Sequence, residues 1–229
     1  MAANKIENRV KELKKNINKL TNDIDINNKS LKIIGASKAK SFQEISYAYN
    51  AGIKDFGENY LQEALPKINN LKNQKIHWHF IGSIQKKKCK EIAFNFDWVH
   101  TVDRIEIAER LNKFREEMST KLNICIQINV DNEKTKSGIK INDLECFSDE
   151  LLSLKNLEIR GLMTLPKKTV NTSMQKESFS KLRRALSTLQ VNFPNAQELS
   201  MGMSNDYPLA IKQGSTMVRI GTNIFGKRK

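Results

Sequence analysis

The chain has 229 residues, 39 lysines and arginines against 25 aspartates and glutamates for a net charge of +14, and 39% hydrophobic residues. Apolar residues recur throughout and only 4 prolines and 10 glycines interrupt them, which excludes a disordered chain. No apolar run approaches the roughly 20 residues of a membrane span, and the start, MAANKIENRVKELKK, lacks the apolar core and cleavage site of a signal peptide, so a cytoplasmic protein is expected.

In chain order, Ile6, Val10, Leu13, Ile17 and Leu20 recur at helical spacing and predict a leading amphipathic helix over 4–21. The apolar run 33–36 follows, then Ser37-Lys38 and a helical stretch over 41–51. Further strand-like runs lie at 55–57, 78–81, 98–101, 124–130, 159–163, 198–201 and 217–220. Helical patterns at 60–69, 86–94, 104–118, 143–152, 173–191 and 206–212 separate them, each long enough to return the chain for a parallel strand. Eight β-then-α units predict an α/β fold, a closed (β/α)8 TIM barrel with an additional N-terminal helix, in preference to an open doubly wound sheet. No repeat and no Pro/Gly/Ser linker divides the chain, so 1–229 reads as one domain.

Cys89, Cys125 and Cys146 are far apart and form no C-x-x-C pair, so free thiols are expected rather than disulfides or structural zinc. The positive charge suits a phosphate-bearing partner of any size, nucleic acid included. Its sharpest cluster, Lys86-Lys87-Lys88 with Lys90, has no interleaved aromatic residues for base stacking and reads as a solvated face.

A barrel of this kind carries its chemistry at the C-terminal ends of its strands. Those ends hold Lys38, Glu58-Asn59, Gly82, the stretch from Asn129 to Asp131, Thr164, Gly202-Met203-Ser204 and Gly221-Thr222. Loops after the seventh and eighth strands frequently bind phosphate. Glycine N–H groups, the hydroxyls of Ser204 and Thr222, and a helix starting near Asn205 would supply the donors. The competing reading makes Ser204 a helix cap and Gly221 a turn. Lys38, ending an apolar strand opposite such a cradle, would offer an amine to the barrel mouth.

Several stretches carry a family resemblance: Gly35-Ala36-Ser37-Lys38, Phe56-Gly57-Glu58-Asn59-Tyr60-Leu61-Gln62-Glu63, Trp78-His79-Phe80-Ile81-Gly82 and Lys136-Ser137-Gly138. Arg160-Gly161-Leu162-Met163-Thr164-Leu165-Pro166, Met201-Gly202-Met203-Ser204, Arg219-Ile220-Gly221-Thr222 and Phe225-Gly226 continue it in order over nearly the whole chain. The sequence resembles the pyridoxal phosphate homeostasis proteins, which are similar to the N-terminal barrel of bacterial alanine racemase. The resemblance implies that pyridoxal 5′-phosphate (PLP) is held as a Schiff base on Lys38, with Asn59 lining the pocket and Arg219 facing the pyridine nitrogen. It also implies a phosphate site on Ser204, Gly221 and Thr222, with Ser200 and Met203 close by.

A guanidinium donates to the pyridine nitrogen without surrendering a proton, so the ring is a weak electron sink. The chain stops after the eighth strand, where alanine racemases continue into a β-domain that supplies a catalytic tyrosine. Of the tyrosines present, Tyr47 and Tyr49 lie in the first barrel helix, while Tyr60 and Tyr207 read as packing or helix-start residues. A cofactor carrier contributing to PLP homeostasis is therefore expected, a monomer with little or no catalysis and a possible donor to apo-enzymes. An amino-acid racemase and a basic nucleic-acid binder are the alternatives. Two positions depart from the family pattern: Lys87-Lys88 stands where asparagine then lysine is common, and Ala39 where threonine often follows the cofactor lysine. His77 and His79 share one strand face but lack a third ligand at matching spacing, so no metal is expected. His79 should instead hydrogen-bond inside the barrel, with Trp78 between strands and helices.

Overall fold

The leading amphipathic pattern folds as helix α1, Ala2–Asn22, in a computed structural model that describes residues 2–22, 31–167 and 169–227. Its apolar face buries Ile6, Val10, Leu13 and Ile17. The helix exceeds the expected 4–21 by two residues at its start and one at its end.

The barrel strands are β1 Lys32–Ala36, β2 Asp55–Glu58, β3 His77–Phe80, β4 Trp98–Val102, β5 Leu122–Ile128, β6 Leu157–Thr164, β7 Glu198–Met203 and β8 Met217–Ile220. Each pairs in parallel with the next, and β8 pairs with β1, closing the barrel. The connecting helices are α2 Phe42–Asn50, α3 Leu61–Asn70, α4 Cys89–Asn95, α5 Ile105–Arg115, α6 Leu144–Leu151, α7 Thr172–Asn192 and α8 Tyr207–Lys212. A four-residue helix, α9 Thr222–Phe225, follows β8, and α1 packs against α2, α8 and α9. The expected (β/α)8 barrel with an extra N-terminal helix is the observed fold, and each strand lies within two residues of its expected ends.

Alternation along the strands divides the core in two. Outward residues such as Phe56, Trp78, Phe80, Ile124 and Ile126 pack beneath the helices, while Ile34, Trp98, Cys125, Met163 and Met217 fill the barrel interior. Trp78 thus lies in the shell between strands and helices, its ring 6.2 Å from that of Phe56. Ser41 caps α2 by accepting from the Glu44 N–H while Glu44 reaches back to the Ser41 N–H, a reciprocal capping box. Gly82 permits a close approach after β3, since a Cβ there would stand 2.0 Å from the Asn59 carbonyl oxygen. Cys89 and Cys125 are buried free thiols and Cys146 is exposed. The basic run 86–88 forms a 3-10 turn whose Lys86 pairs with Glu106, and Lys86, Lys87 and Lys90 are exposed.

Candidate cofactor site

Lys38 follows β1 by two residues, in a turn that is fastened from behind. The Ser37 N–H donates to the Gly57 carbonyl at 3.0 Å, and its hydroxyl to Glu58 Oε1 at 2.5 Å. Lys67 Nζ donates to both Glu58 oxygens at 2.9 Å and to the Ser37 carbonyl at 3.0 Å. Ala39 takes a left-handed φ of 58°, and its N–H donates to Glu63 Oε2 at 2.8 Å. Ser37 and Glu58 are wholly buried and Lys67 nearly so. Burial pushes the Glu58 carboxyl upward, and hydrogen bonds from Ser37 and Lys67 oppose it. The lysine backbone is thereby held by a buried ion pair that also joins β2 to α3.

Asn59 is half-buried at the end of β2, its amide donating to the Ile81 carbonyl at 3.4 Å. On the far side of β1, the end of β8 brings Gly221 beside Ala36: a Cβ on that glycine would lie 3.5 Å from the Ala36 carbonyl oxygen. The Gly221 loop therefore adjoins the end of β1, two residues before Lys38. The Gly221 N–H donates to Ser204 Oγ at 3.2 Å, and Thr222 opens α9, so Ser204, Gly221 and Thr222 come together between β7 and β8. A short extra helix beginning at this loop is the arrangement in which such barrels bind phosphate.

The helix expected near Asn205 begins at Tyr207 instead. Asp206 occupies its cap position, and its carboxylate accepts from the Met203 N–H at 2.6 Å. The start of α8 is thus closed by a carboxylate, whereas the start of α9 at Gly221 carries no side-chain cap. Both Asn205 and Asp206 are cap-forming residue types, and α8 lies within one residue of the expected 206–212. Met203 is half-buried beside this turn.

Ser200 sits apart from the cradle. Fully buried within β7, it faces Arg219 and His100: Arg219 Nη1 donates to its carbonyl at 2.6 Å and its hydroxyl at 2.5 Å, and His100 Nδ1 lies 2.8 Å from that hydroxyl. Arg219 Nη2 donates to the Thr164 carbonyl at 2.8 Å. Burial lowers the Arg219 pKa to about 10, with Asp206 opposing, so the guanidinium keeps its charge near neutrality. His79 hydrogen-bonds inside the barrel as expected, through Asp55 at 3.0 Å and His100 at 2.8 Å. His77 is exposed, and the described residues contain no group of three or more His, Cys, Asp or Glu placed to hold a metal. Tyr60 is exposed just before α3 and Tyr207 is buried as the first residue of α8. The motif at 136–138 also finds a role, since Lys136 Nζ donates to the Leu165 and Pro166 carbonyls at 3.2 and 2.8 Å and ties two mouth loops together.

Residues 9–229 match the family model "Alanine racemase, N-terminal domain". The pyridoxal phosphate homeostasis protein of Pseudomonas aeruginosa is 44% identical over 86% of this chain and 84% of its own, and that of Pasteurella multocida is 40% identical over 97% of both. The chain belongs to the pyridoxal phosphate homeostasis protein family. Among solved structures, PipY of Synechococcus elongatus with PLP bound is 32% identical, covers 96% of this chain and 100% of its own, and superposes with a TM-score of 0.84. Alanine racemase from Corynebacterium glutamicum, 15% identical with a TM-score of 0.74, shares the fold over 99% of this chain and 62% of its own. This member of the family is thus a closed barrel in which the ends of β1, β2, β7 and β8 lie around one mouth.

Sequence reasoning overlooked Lys67, His100 and Asp55. Lys67 is spaced like any i, i+4 partner of Glu63, and only the packing of α3 over β2 buries it. His100, two residues after the inward-facing Trp98, could have been found from alternation alone.

Proposed function

We propose that the protein binds PLP in the barrel mouth and contributes to its homeostasis, with Lys38 supplying the amine for a Schiff base. The observation that carries this reading is that the Ser204–Gly221–Thr222 cradle lies across the β1/β8 seam beside Ala36, two residues before the fastened Lys38. The donor set fits the cofactor: an amine for the aldehyde, hydroxyl and backbone N–H donors for the phosphate, and a donor-only guanidinium for the ring nitrogen. Asn59 would line the pocket, Met203 would flank the phosphate end, and Ser200 would act through Arg219. When bound, the cofactor supplies an electrophilic carbon and an electron-accepting ring.

Arg219 determines how strongly that ring withdraws electrons. Held by Ser200 and Thr164, it would donate to an acceptor nitrogen while retaining its own proton. A guanidinium there would leave that nitrogen unprotonated, which would favour holding the cofactor over labilising a substrate Cα proton. The names and PLP-bound structure among the relatives support the same reading. We infer a cytoplasmic monomer that releases PLP to apo-enzymes; no described helix is long and apolar enough to cross a membrane.

The test is an absorbance spectrum of the protein with added PLP, compared with Lys38→Ala. An imine band present only in the wild type, without exchange of the alanine Cα proton in heavy water, is the expected result. Enzyme-like exchange would reassign the protein as a racemase, and absence of the band in the wild type would overturn the cofactor reading.

A further inference from the structure

A continuous line of hydrogen bonds crosses the barrel interior from its floor to Arg219. Asp55 opens β2 on the face opposite the mouth, where its carboxylate meets exposed His77 at 3.4 Å and buried His79 at 3.0 Å. His79 Nδ1 lies 2.8 Å from His100 Nε2, and His100 Nδ1 lies 2.8 Å from Ser200 Oγ. Ser200 Oγ accepts from Arg219 at 2.5 Å. His79, His100 and Ser200 are wholly buried.

The carboxylate end fixes the direction of every link once each imidazole carries a single proton. A carboxylate only accepts, so His79 carries its proton on Nε2. Burial lowers the pKa of both imidazoles, most strongly for His100, where the Arg219 and Lys32 charges add to it, so each ring carries one proton. His79 Nδ1 is then an acceptor, His100 donates through Nε2, and His100 Nδ1 accepts the Ser200 hydroxyl proton. That leaves the serine lone pairs for the guanidinium, which can only donate. The guanidinium end is satisfied by this orientation, and reversing a single link would set two buried protons or two buried lone pairs against each other between the imidazoles.

We propose that Asp55, His79 and His100 are positioning residues for the cofactor site, forming a one-way relay that holds Ser200 as the acceptor fixing the Arg219 guanidinium. The inference rests on the assignment of Arg219 to the cofactor ring nitrogen. None of the three residues reaches the mouth; they act through Ser200. Trp98, stacked on the His79 ring at 5.6 Å and 13°, holds the first ring of the line. The relay commits Arg219 to staying charged, so the site selects ligands whose ring nitrogen accepts a hydrogen bond.

Nitrogen-15 NMR of the cofactor-free wild type reads the histidine tautomers directly. The proposal expects the Nε2–H form at both His79 and His100; an Nδ1–H form at either overturns it whatever the cofactor does. The second arm uses Asp55→Asn, whose amide can donate as well as accept and so removes the fixed direction, with His100→Gln as a further break. Each variant should bind PLP about tenfold more weakly, the scale of losing an outer hydrogen-bond partner. The pH midpoint of the imine band should rise, because a guanidinium held less firmly against the ring opposes imine protonation less. A folded variant with unchanged affinity and midpoint overturns the positioning role. A lowered melting temperature with an unmoved midpoint shows a purely structural line and overturns it equally. Absence of an imine band in the wild type instead refutes the underlying cofactor reading, while the tautomers still report whether the relay exists.

Discussion

Replacing Lys67 by methionine keeps its aliphatic stem and removes three hydrogen bonds, two to Glu58 and one to the Ser37 carbonyl. The carboxylate left behind is fully buried, with only the Ser37 hydroxyl to hold it. Removing one partner of a buried ion pair typically costs about 3–5 kcal/mol, because the uncompensated charge dominates. An exposed pair such as Lys11–Glu7 contributes only about 0.5 kcal/mol or less. Urea unfolding at pH 7 should therefore show Lys67→Met destabilised by about 3 kcal/mol, equivalent to a melting temperature lowered by roughly 6–12 °C for a chain of this size.

The pH dependence gives the loss a signature. Burial already raises the Glu58 pKa above its unfolded value, and losing Lys67 raises it further. An acid with a raised folded pKa binds more protons folded than unfolded between the two values, so the folded state loses stability as pH rises through that window. The variant should therefore recover relative to wild type as pH falls from 7 toward 5, and Glu58→Gln combined with Lys67→Met should recover much of the loss at pH 7. A single variant within about 0.5 kcal/mol of wild type, the scatter of ordinary surface substitutions, would refute the buried-pair reasoning.

Other features give sharper local expectations. Ser41→Ala removes the capping box of α2 and should cost about 1 kcal/mol in chemical denaturation, with PLP affinity unchanged. Gly82→Ala puts a methyl 2.0 Å from the Asn59 carbonyl, so the backbone at the ends of β2 and β3 must shift; both thermal stability and PLP affinity should fall. In a thiol-reagent titration of the native protein, exposed Cys146 should react at once. Cys89 and Cys125, whose thiols burial pushes upward, should react only on unfolding.

Much of this architecture is legible in the sequence because it depends on short-range periodicity. Alternation in runs such as Trp78–His79–Phe80 separates the shell from the interior, and the heptad-like spacing of Ile6, Val10, Leu13 and Ile17 marks the helix that packs on α2, α8 and α9. The mouth is equally legible, since strand ends are where such barrels place their chemistry. What escaped was pairing across the barrel. Ser200 and His100 are separated by 100 positions yet share a hydrogen bond, and no local pattern announces it. Lys67 reads as a solvated lysine until α3 is laid over β2. The resemblance puts Ser200 close to the phosphate residues, while its place within β7 turns its side chain to the interior, where it meets Arg219 and His100.

The most direct test of the central claim is borohydride reduction of the PLP-loaded protein followed by peptide mapping. The account predicts a single stoichiometric pyridoxyl adduct on Lys38. An adduct confined to another lysine, or none at all, would contradict it.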